Sequence, residues 1–325
     1  MKIYNNYKNY TLPIKVQENL NIYKKLRNFL VDKYVNDKIN ILNEYFLTYN
    51  LKTAVIAVSG GIDSAIVLSL VKKASLEKNS NIKNIVPVFL PAYSSSGVTG
   101  QKSAYTRAKE LCINLGLNLN IFDISKDSES ISSSIQNITN IKADDWSEGQ
   151  LIPYLRTTSL YYFTTLYTQI KENAVIIGTT NADEGQYIGY FGKASDGLVD
   201  IQLISDIHKS EVYLIGEFLS IPESIINVVP TGDMYDSRVD EEVFGFPYSF
   251  VEFYRFYSLM QKKEKEKIHA DLIHDNQYED FKKLLENLEN MHKYNKHKYL
   301  GCSPAVHLDV LDTKVHNGWK YSNWK

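Results

Sequence analysis

The sequence predicts an α/β fold, a three-layer sandwich in which helices cover both faces of a parallel sheet. Three observations carry this expectation. Short apolar runs alternate with stretches at helical spacing. Two of the runs end in glycine-containing turns, where open α/β sheets place their ligands. The chain has 325 residues, enough for one large α/β domain or for two smaller ones.

In chain order, residues 14–49 read as helical. Ile22, Leu26, Phe29 and Leu30, then Ile39, Leu42 and Phe46, recur at helical intervals. Thr53 to Val58 is a buried strand followed by a glycine turn, and residues 63–76 return to helical spacing. Ile85 to Leu90 is the next strand. A polar loop over 92–100 leads into a helix near 101–116. Leu117 to Ile124 is a third strand, interrupted by Asn118 and Asn120. A long helix is expected over 151–171, and Ala174 to Ile177 is a short strand that runs into Gly178-Thr179. Loops 192–200 and 229–247 are rich in Gly, Asp, Ser and Pro and have the composition of lids that order on ligand binding. Residues 261–298 read as solvated helix with Leu284, Leu285 and Leu288 as its buried stripe. The implied organisation is a helical segment over 1–50, a catalytic-type domain over 51–305 and a tail over 306–325.

Composition narrows the function classes. Hydrophobic residues make up 44% and charged residues 23%, so the chain buries a core and is not mainly disordered. Lys+Arg 36 against Asp+Glu 38 leaves a formal charge of −2, which provides no global attraction to nucleic acid or to an anionic membrane. No run of about 18 apolar residues is present, and the polar, aromatic N-terminus does not resemble a signal peptide. Cys112 and Cys302 make neither a disulfide framework nor a CxxC metal pair. A reducing cytoplasm is the expected setting.

The segment that carries chemistry is Ser59-Gly60-Gly61-Ile62-Asp63-Ser64-Ala65, between the first strand and a helix. Two glycines let the backbone approach an anion closely. The helix behind them offers free N–H groups and the positive end of its dipole. Ser59 and Ser64 add hydroxyls, and Asp63 is placed to hold Mg²⁺ against phosphates. The plain alternative is a structural strand–helix turn in which Asp63 caps the helix. The lysine of the GxxxxGK[ST] loop is absent.

This run resembles the SGGxDS signature of the ATP pyrophosphatases. Further on stand Gly178-Thr-Thr-Asn-Ala-Asp-Glu184, Gly189-Tyr-Phe-Gly-Lys-Ala-Ser-Asp-Gly197, Asp200, Asp206-Ile-His-Lys-Ser-Glu-Val212, Pro230-Thr-Gly-Asp233, Asp240-Glu-Glu242 and His297-Lys298. Their order and spacing are similar to ammonia-dependent NAD synthetases over roughly residues 25–305. The resemblance implies an adenine nucleotide alpha hydrolase-like fold. It also implies a reaction: ATP adenylates the nicotinate carboxylate of deamido-NAD, pyrophosphate leaves, and ammonia displaces AMP. Adenylation turns a poor electrophile into an activated carbonyl with a good leaving group.

Carried onto this chain, the resemblance implies that Ser59, Gly60, Gly61, Ile62, Asp63 and Ser64 bind the ATP phosphates, with Thr179 at the adenosine. Lys209 and Thr231 would reach the phosphates as pyrophosphate departs. Asp63 and Glu184 would hold Mg²⁺. Lys193, Asp200, His297 and Lys298, with the position of Tyr154, would bind deamido-NAD. Out of context, each lysine would read as a solvated surface residue, Glu184 as one half of a surface ion pair and His297 as an exposed histidine; the shared order sets them apart.

The family also implies a homodimer. Pro91-Ala-Tyr-Ser-Ser-Ser96 resembles a stretch of the glutamine-dependent members, but about fifty cysteine-free residues precede the ATP loop. Ammonia is therefore expected free or from a separate glutaminase. One departure stands out. Family members usually carry an arginine two residues before Arg156, where this chain has Tyr154. Tyrosine stacks or donates one hydrogen bond but lacks a charged bidentate grip on phosphate. Either deamido-NAD is held differently, or an adenylating ligase of this superfamily acts here on a different carboxylate. Asparagine synthetases need a cysteine beside the initiator Met, where Lys2 stands. The tRNA-modifying members predict a basic RNA-binding face, against which the charge weighs. A non-catalytic alternative would use Trp319 and Trp324 of the tail to dock on a partner.

Overall fold

The computed structural model describes residues 11–93, 101–232, 238–298 and 305–311. Ser94 to Ser96, Asp233, Cys302, Trp319 and Trp324 lie outside them.

The expected N-terminal helix is two helices, α1 (Ile14–Arg27) and α2 (Val31–Thr48). Asn28 separates them in the left-handed region at φ 44°, a conformation asparagine tolerates at helix ends. There follow β1 (Thr53–Ala57), α3 (Ile62–Ser75), β2 (Asn84–Phe89), α4 (Gln101–Asn114) and β3 (Asn120–Ile121). Next come α5 (Ser125–Thr139), α6 (Asp145–Gln169) and β4 (Ala174–Gly178). The second half holds β5 (Ile201–Gln202), α7 (Lys209–Phe218), α8 (Glu223–Ile226), α9 (Asp240–Phe244), α10 (Tyr248–Leu259), α11 (Lys262–His274), α12 (Tyr278–Asn295) and β6 (Val306–His307).

The six strands form one parallel sheet in the order β3-β2-β1-β4-β5-β6. The predicted parallel α/β architecture is thus present. The sheet grows outward from β1 in one direction, then from β4 in the other. The crevice between the ends of β1 and β4 is therefore the point where strand order reverses, and ligands of such sheets bind there.

Strand alternation builds the three layers. Ala54 and Ile56 of β1 face the side covered by α2, α3 and α7, together with Val212 and Ile215. Val55 faces the opposite side, with Val86, Val88, Leu160 and Ile176, where α6 lies. A second core forms beside the sheet, rich in aromatic rings. Phe246, Phe250 and Phe253 are fully buried there with Phe281, Leu284 and Leu288, and α1 adds Val16 and Leu20.

Several boundaries differ from the sequence expectation. α5 was not foreseen; its isoleucines Ile135 and Ile138 are 53% and 81% exposed, so no burial pattern marks it. α6 starts at Asp145 rather than 151, because Asp144 caps it by accepting from the Ser147 N–H at 2.8 Å. The third strand keeps only two paired residues. Residues 261–298 are two helices folded onto the aromatic core, and Phe281 joins Leu284 and Leu288 in the buried stripe. β6 makes Val306 and His307 part of the sheet edge. Among the described residues, no helix is long and apolar enough to cross a membrane.

Candidate active site

The turn after β1 has a sterically specified shape. Gly60 sits at φ 80°, and a Cβ there would lie 2.4 Å from the Ala104 carbonyl oxygen on α4. Only glycine meets both conditions. Arg107 of α4 donates from Nε to the Gly60 carbonyl at 2.8 Å and holds the turn from behind. The two serines tie the loop to itself. The Ser59 and Gly61 N–H groups donate to Ser64 Oγ at 3.2 Å and Ser59 Oγ at 3.3 Å. Ser64 Oγ donates to the Gly61 carbonyl at 3.0 Å. Ile62 is 4% exposed and belongs to the core, so it contributes backbone rather than side chain to the cradle.

Ile62 also explains how Asp63 reaches its neighbour. Gly216 of α7 leaves room for it; a Cβ at Gly216 would sit 2.8 Å from Ile62 Cδ1. This close approach packs the later part of α7 against the start of α3. Lys209, the first residue of α7, donates from Nζ to Asp63 Oδ2 at 2.6 Å and to Glu184 Oε1 at 2.9 Å. Glu184 opens a short π-helical turn, Glu184–Ile188, that follows β4. One ammonium therefore joins the start of α3 to the turn after β4, on either side of the crevice.

Further groups complete the cluster. Asn181 Nδ2 donates to Asp63 Oδ1 at 2.8 Å. The Tyr248 hydroxyl, at the start of α10, lies 2.9 Å from Glu184 Oε1 and 2.8 Å from Asp240 Oδ2. Tyr190 donates to Asp240 Oδ1 at 3.2 Å. The Lys209 amine also stands 5.0 Å from the centre of the Tyr248 ring.

Three carboxylates thus surround one ammonium in a largely buried space. Burial pushes the Glu184 carboxyl up to about 7; Lys209 opposes this, and the charges of Asp63 and Asp240 add to it. Burial likewise raises Asp240. Burial works against the Lys209 charge, but Asp63 and Glu184 outweigh it and hold the amine well above its ordinary value. The cluster carries more negative than positive charge, and it offers hard oxygen donors to a cation.

The other expected residues are spread around this centre. Thr179 follows β4 directly and is half-buried. Thr231 is exposed and pairs with Val239 in an isolated antiparallel bridge. Its neighbour Gly232 lies against the Tyr190 hydroxyl, which places Thr231 at the border of the acidic cluster. Lys298 donates from Nζ to the Gly189 carbonyl at 2.7 Å and lies over the Phe191 ring. The Lys193 charge acts on the Lys298 amine, so the two lysines share one neighbourhood. His297 is exposed beside them. Asp200 takes a different position: its Oδ2 accepts from the Ile176 N–H at 2.7 Å, inside the sheet and before β5 begins. Tyr154 projects from α6, 43% exposed, while Arg156 donates to the Leu90 carbonyl at the carboxyl end of β2 at 2.9 Å.

Sequence reasoning assigned no role to Asn181, Asp240, Tyr190, Tyr248 or Arg107. Asn181 and Asp240 stand inside the motif runs, which was an available signal. Tyr248 sits in an aromatic helix of a chain with 24 tyrosines, and nothing in its local sequence sets it apart.

The family model described as NAD synthase matches residues 34–300, a span that contains every member of this cluster. The chain belongs to the NAD synthase family. It is a ligase of that family. Its similarity to the NH3-dependent NAD+ synthetase of Carboxydothermus hydrogenoformans is 31% identity, covering 66% of this chain and 82% of that one. To the NH3-dependent NAD+ synthetase of Thermoplasma acidophilum it is 30%, covering 76% and 88%. Among solved structures, NMN synthetase from Francisella tularensis superposes with a TM-score of 0.66 at 26% identity, covering 83% of this chain and 96% of that one.

Proposed function

We propose that the chain uses ATP and ammonia to amidate the nicotinate carboxylate of deamido-NAD, through an adenylated intermediate, with AMP and pyrophosphate released. The observation that carries this reading is the Lys209 amine bonded to both Asp63 and Glu184 at the crevice beside the Ser59–Ser64 cradle. The cradle offers the first N–H groups of α3 to an anion. Lys209 supplies positive charge where phosphate charge grows as pyrophosphate leaves. Ammonia, free or delivered by a separate glutaminase, then attacks the activated carbonyl.

Asp63 and Glu184 are the residues that would hold Mg²⁺. No group of three or more acidic, His or Cys side chains able to cage a metal exists among the described residues. Mg²⁺ typically binds one or two carboxylates and completes its shell with water and substrate phosphates. When bound, it neutralises phosphate charge during departure. Tyr248, itself bonded to Asp240, holds Glu184 from the far side.

Lys193, His297 and Lys298 supply positive and polar groups near the mouth of the site for a phosphate-bearing acceptor. The homodimer is supported by exposed apolar side chains on α5, on α6 and just after α6, including Ile138, Tyr162 and Ile170 at 81%, 64% and 65%.

A second reading is favoured by one observation. Tyr154 replaces the expected arginine, and the chain resembles an NMN synthetase structure over most of its length. The acceptor in that reading is nicotinate mononucleotide, which has fewer phosphates for an arginine to grip. The deciding experiment measures AMP and pyrophosphate release from Mg·ATP and an ammonium salt, with deamido-NAD or nicotinate mononucleotide added. Turnover with deamido-NAD supports the first reading. Turnover confined to the mononucleotide supports the second. Release with neither acceptor overturns both.

A further inference from the structure

Helix α1 lies ahead of the segment that the family model matches, yet it reaches the residues behind the site. The Tyr23 hydroxyl lies 3.0 Å from His208 Nε2. His208 Nδ1 lies 2.7 Å from Asp183 Oδ1. The other oxygen of Asp183 accepts from the Lys209 backbone N–H at 2.8 Å. His208 and Asp183 are fully buried. With Nδ1–H donating to the carboxylate, Nε2 is placed to accept the Tyr23 hydroxyl proton. The three side chains therefore form one directed row from α1 to the first residue of α7.

A second grip lies alongside. Arg27 of α1 holds the Glu211 carboxylate through Nε and, at 2.8 Å, through Nη2. Glu211 in turn accepts from the His208 N–H at 2.9 Å and closes the capping box of α7. Arg27 also donates to the Asp206 carbonyl at 2.9 Å. Both rows end on the cap and first turn of α7, the turn that carries Lys209, and Arg27 also holds the segment just before it. Tyr23 itself stacks on Phe256 at 5.0 Å, so its ring is held by packing independently of its hydroxyl.

We propose that Tyr23 is a positioning residue for Lys209, acting through the His208 ring and Asp183, so that α1 sets the geometry of the Asp63–Lys209–Glu184 centre. The inference rests on the reading of Lys209 as the residue that meets the ATP phosphates. Asp183 orients the ring, and the ring holds the hydroxyl; loosening any link lets the first turn of α7 shift. Displacements of an ångström near a reacting group cost rate far more than binding.

The test compares the full chain with Tyr23→Phe, Asp183→Asn and the double variant. Tyr23→Phe keeps the stacked ring and removes one oxygen. The expected result is a kcat about tenfold lower, equal to about 1.4 kcal/mol, with the KM for the acceptor within about twofold and the unfolding midpoint little changed. The double variant should be no slower than Asp183→Asn alone, because the hydroxyl acts through that carboxylate. Amide hydrogen exchange is read on the same proteins: the first turn of α7 should exchange faster in Tyr23→Phe, with the rest of α7 unchanged. A Tyr23→Phe kcat equal to wild type, or losses that multiply in the double variant, overturns the proposal. A wild-type chain without turnover sinks the amidation reading instead. The positioning role then stands or falls on the exchange, and an unchanged first turn refutes it.

Discussion

Lys209 is one positive charge placed among carboxylates, and its neighbours show what the site lacks. Asp63, Glu184 and Asp240 leave an excess of negative charge, which burial makes costly and a cation would relieve. Asp63→Ala is expected to reduce pyrophosphate release by at least about a hundredfold; release at the wild-type rate removes Asp63 from the phosphate site. Glu184→Gln keeps the shape and an acceptor for Lys209 but deletes a charge. Its rate should need more Mg²⁺ to saturate, and a titration that overlays the wild type argues against the metal role. Tyr154→Arg restores a charged donor at an exposed position of α6. A charge-assisted bond of about 1.5–3 kcal/mol predicts at least about a tenfold lower KM for deamido-NAD. No gain with deamido-NAD, beside good turnover of the mononucleotide, would assign the pocket to the smaller acceptor.

At the scale of elements, the site depends on how β1, α3 and α7 are joined. The cradle loop is shaped by its own serines and by the backbone of α4, so α4 is part of the site although none of its residues was expected there. Gly60→Ala places a methyl group against the Ala104 carbonyl and forces alanine to a positive φ. The left-handed backbone alone costs about 1–2 kcal/mol. A lower urea midpoint together with weaker ATP binding is expected; a variant that binds ATP as tightly as wild type would show that the loop tolerates another shape. α3 and α7 meet at two places, Ile62 against Gly216 near the end of α7 and Asp63 against Lys209 at its start.

Across the whole molecule, buried polar groups tie α2 and residues 308–310 to the segment after β5. Lys38 of α2, fully buried, pairs with Asp206 at 2.9 Å and bonds the Leu308 carbonyl. The Val310 N–H donates to Asp206 at 2.8 Å, and Ser205 donates to Asp309 at 2.8 Å. Burial, reinforced by the charge of Asp206, pushes Asp309 up to about 7. Its folded value lies above its unfolded one, so folding takes up a proton. The stability from this group is complete below about pH 4 and is lost as pH rises to about 7. Burial lowers His307 to about 4, and its contribution runs the other way: it is present above about pH 6.5 and lost as pH falls toward 4. Asp309→Asn removes the first effect alone. Its stability relative to wild type should be near zero or slightly negative at pH 4 and should grow more favourable by pH 8, read from urea midpoints at both. A difference that stays constant with pH would show that Asp309 titrates normally in the folded chain.

The sequence by itself determined the parallel α/β class, because apolar runs of strand length alternate with amphipathic helices and that pattern has few packed solutions. It also determined the cradle and the candidates Asp63, Glu184 and Lys209, because strand–turn–helix chemistry is local and its motif is contiguous. Tertiary structure decided the rest. Tyr248 and Asp240 join Glu184 only because α9 and α10 fold back over the crevice. Asp200 accepts from the Ile176 N–H, a bond across 24 residues that only the pairing of these segments makes. Segment 261–298 reads as solvated helix because its charges outnumber its apolar positions, yet a few large side chains seat it on the aromatic core. β6 is two residues long and has no periodicity to read; pairing with β5 alone makes it a strand. Tyr23 stands 185 residues from His208 and 160 from Asp183 in the chain, separations over which only packing can bring three side chains into one row.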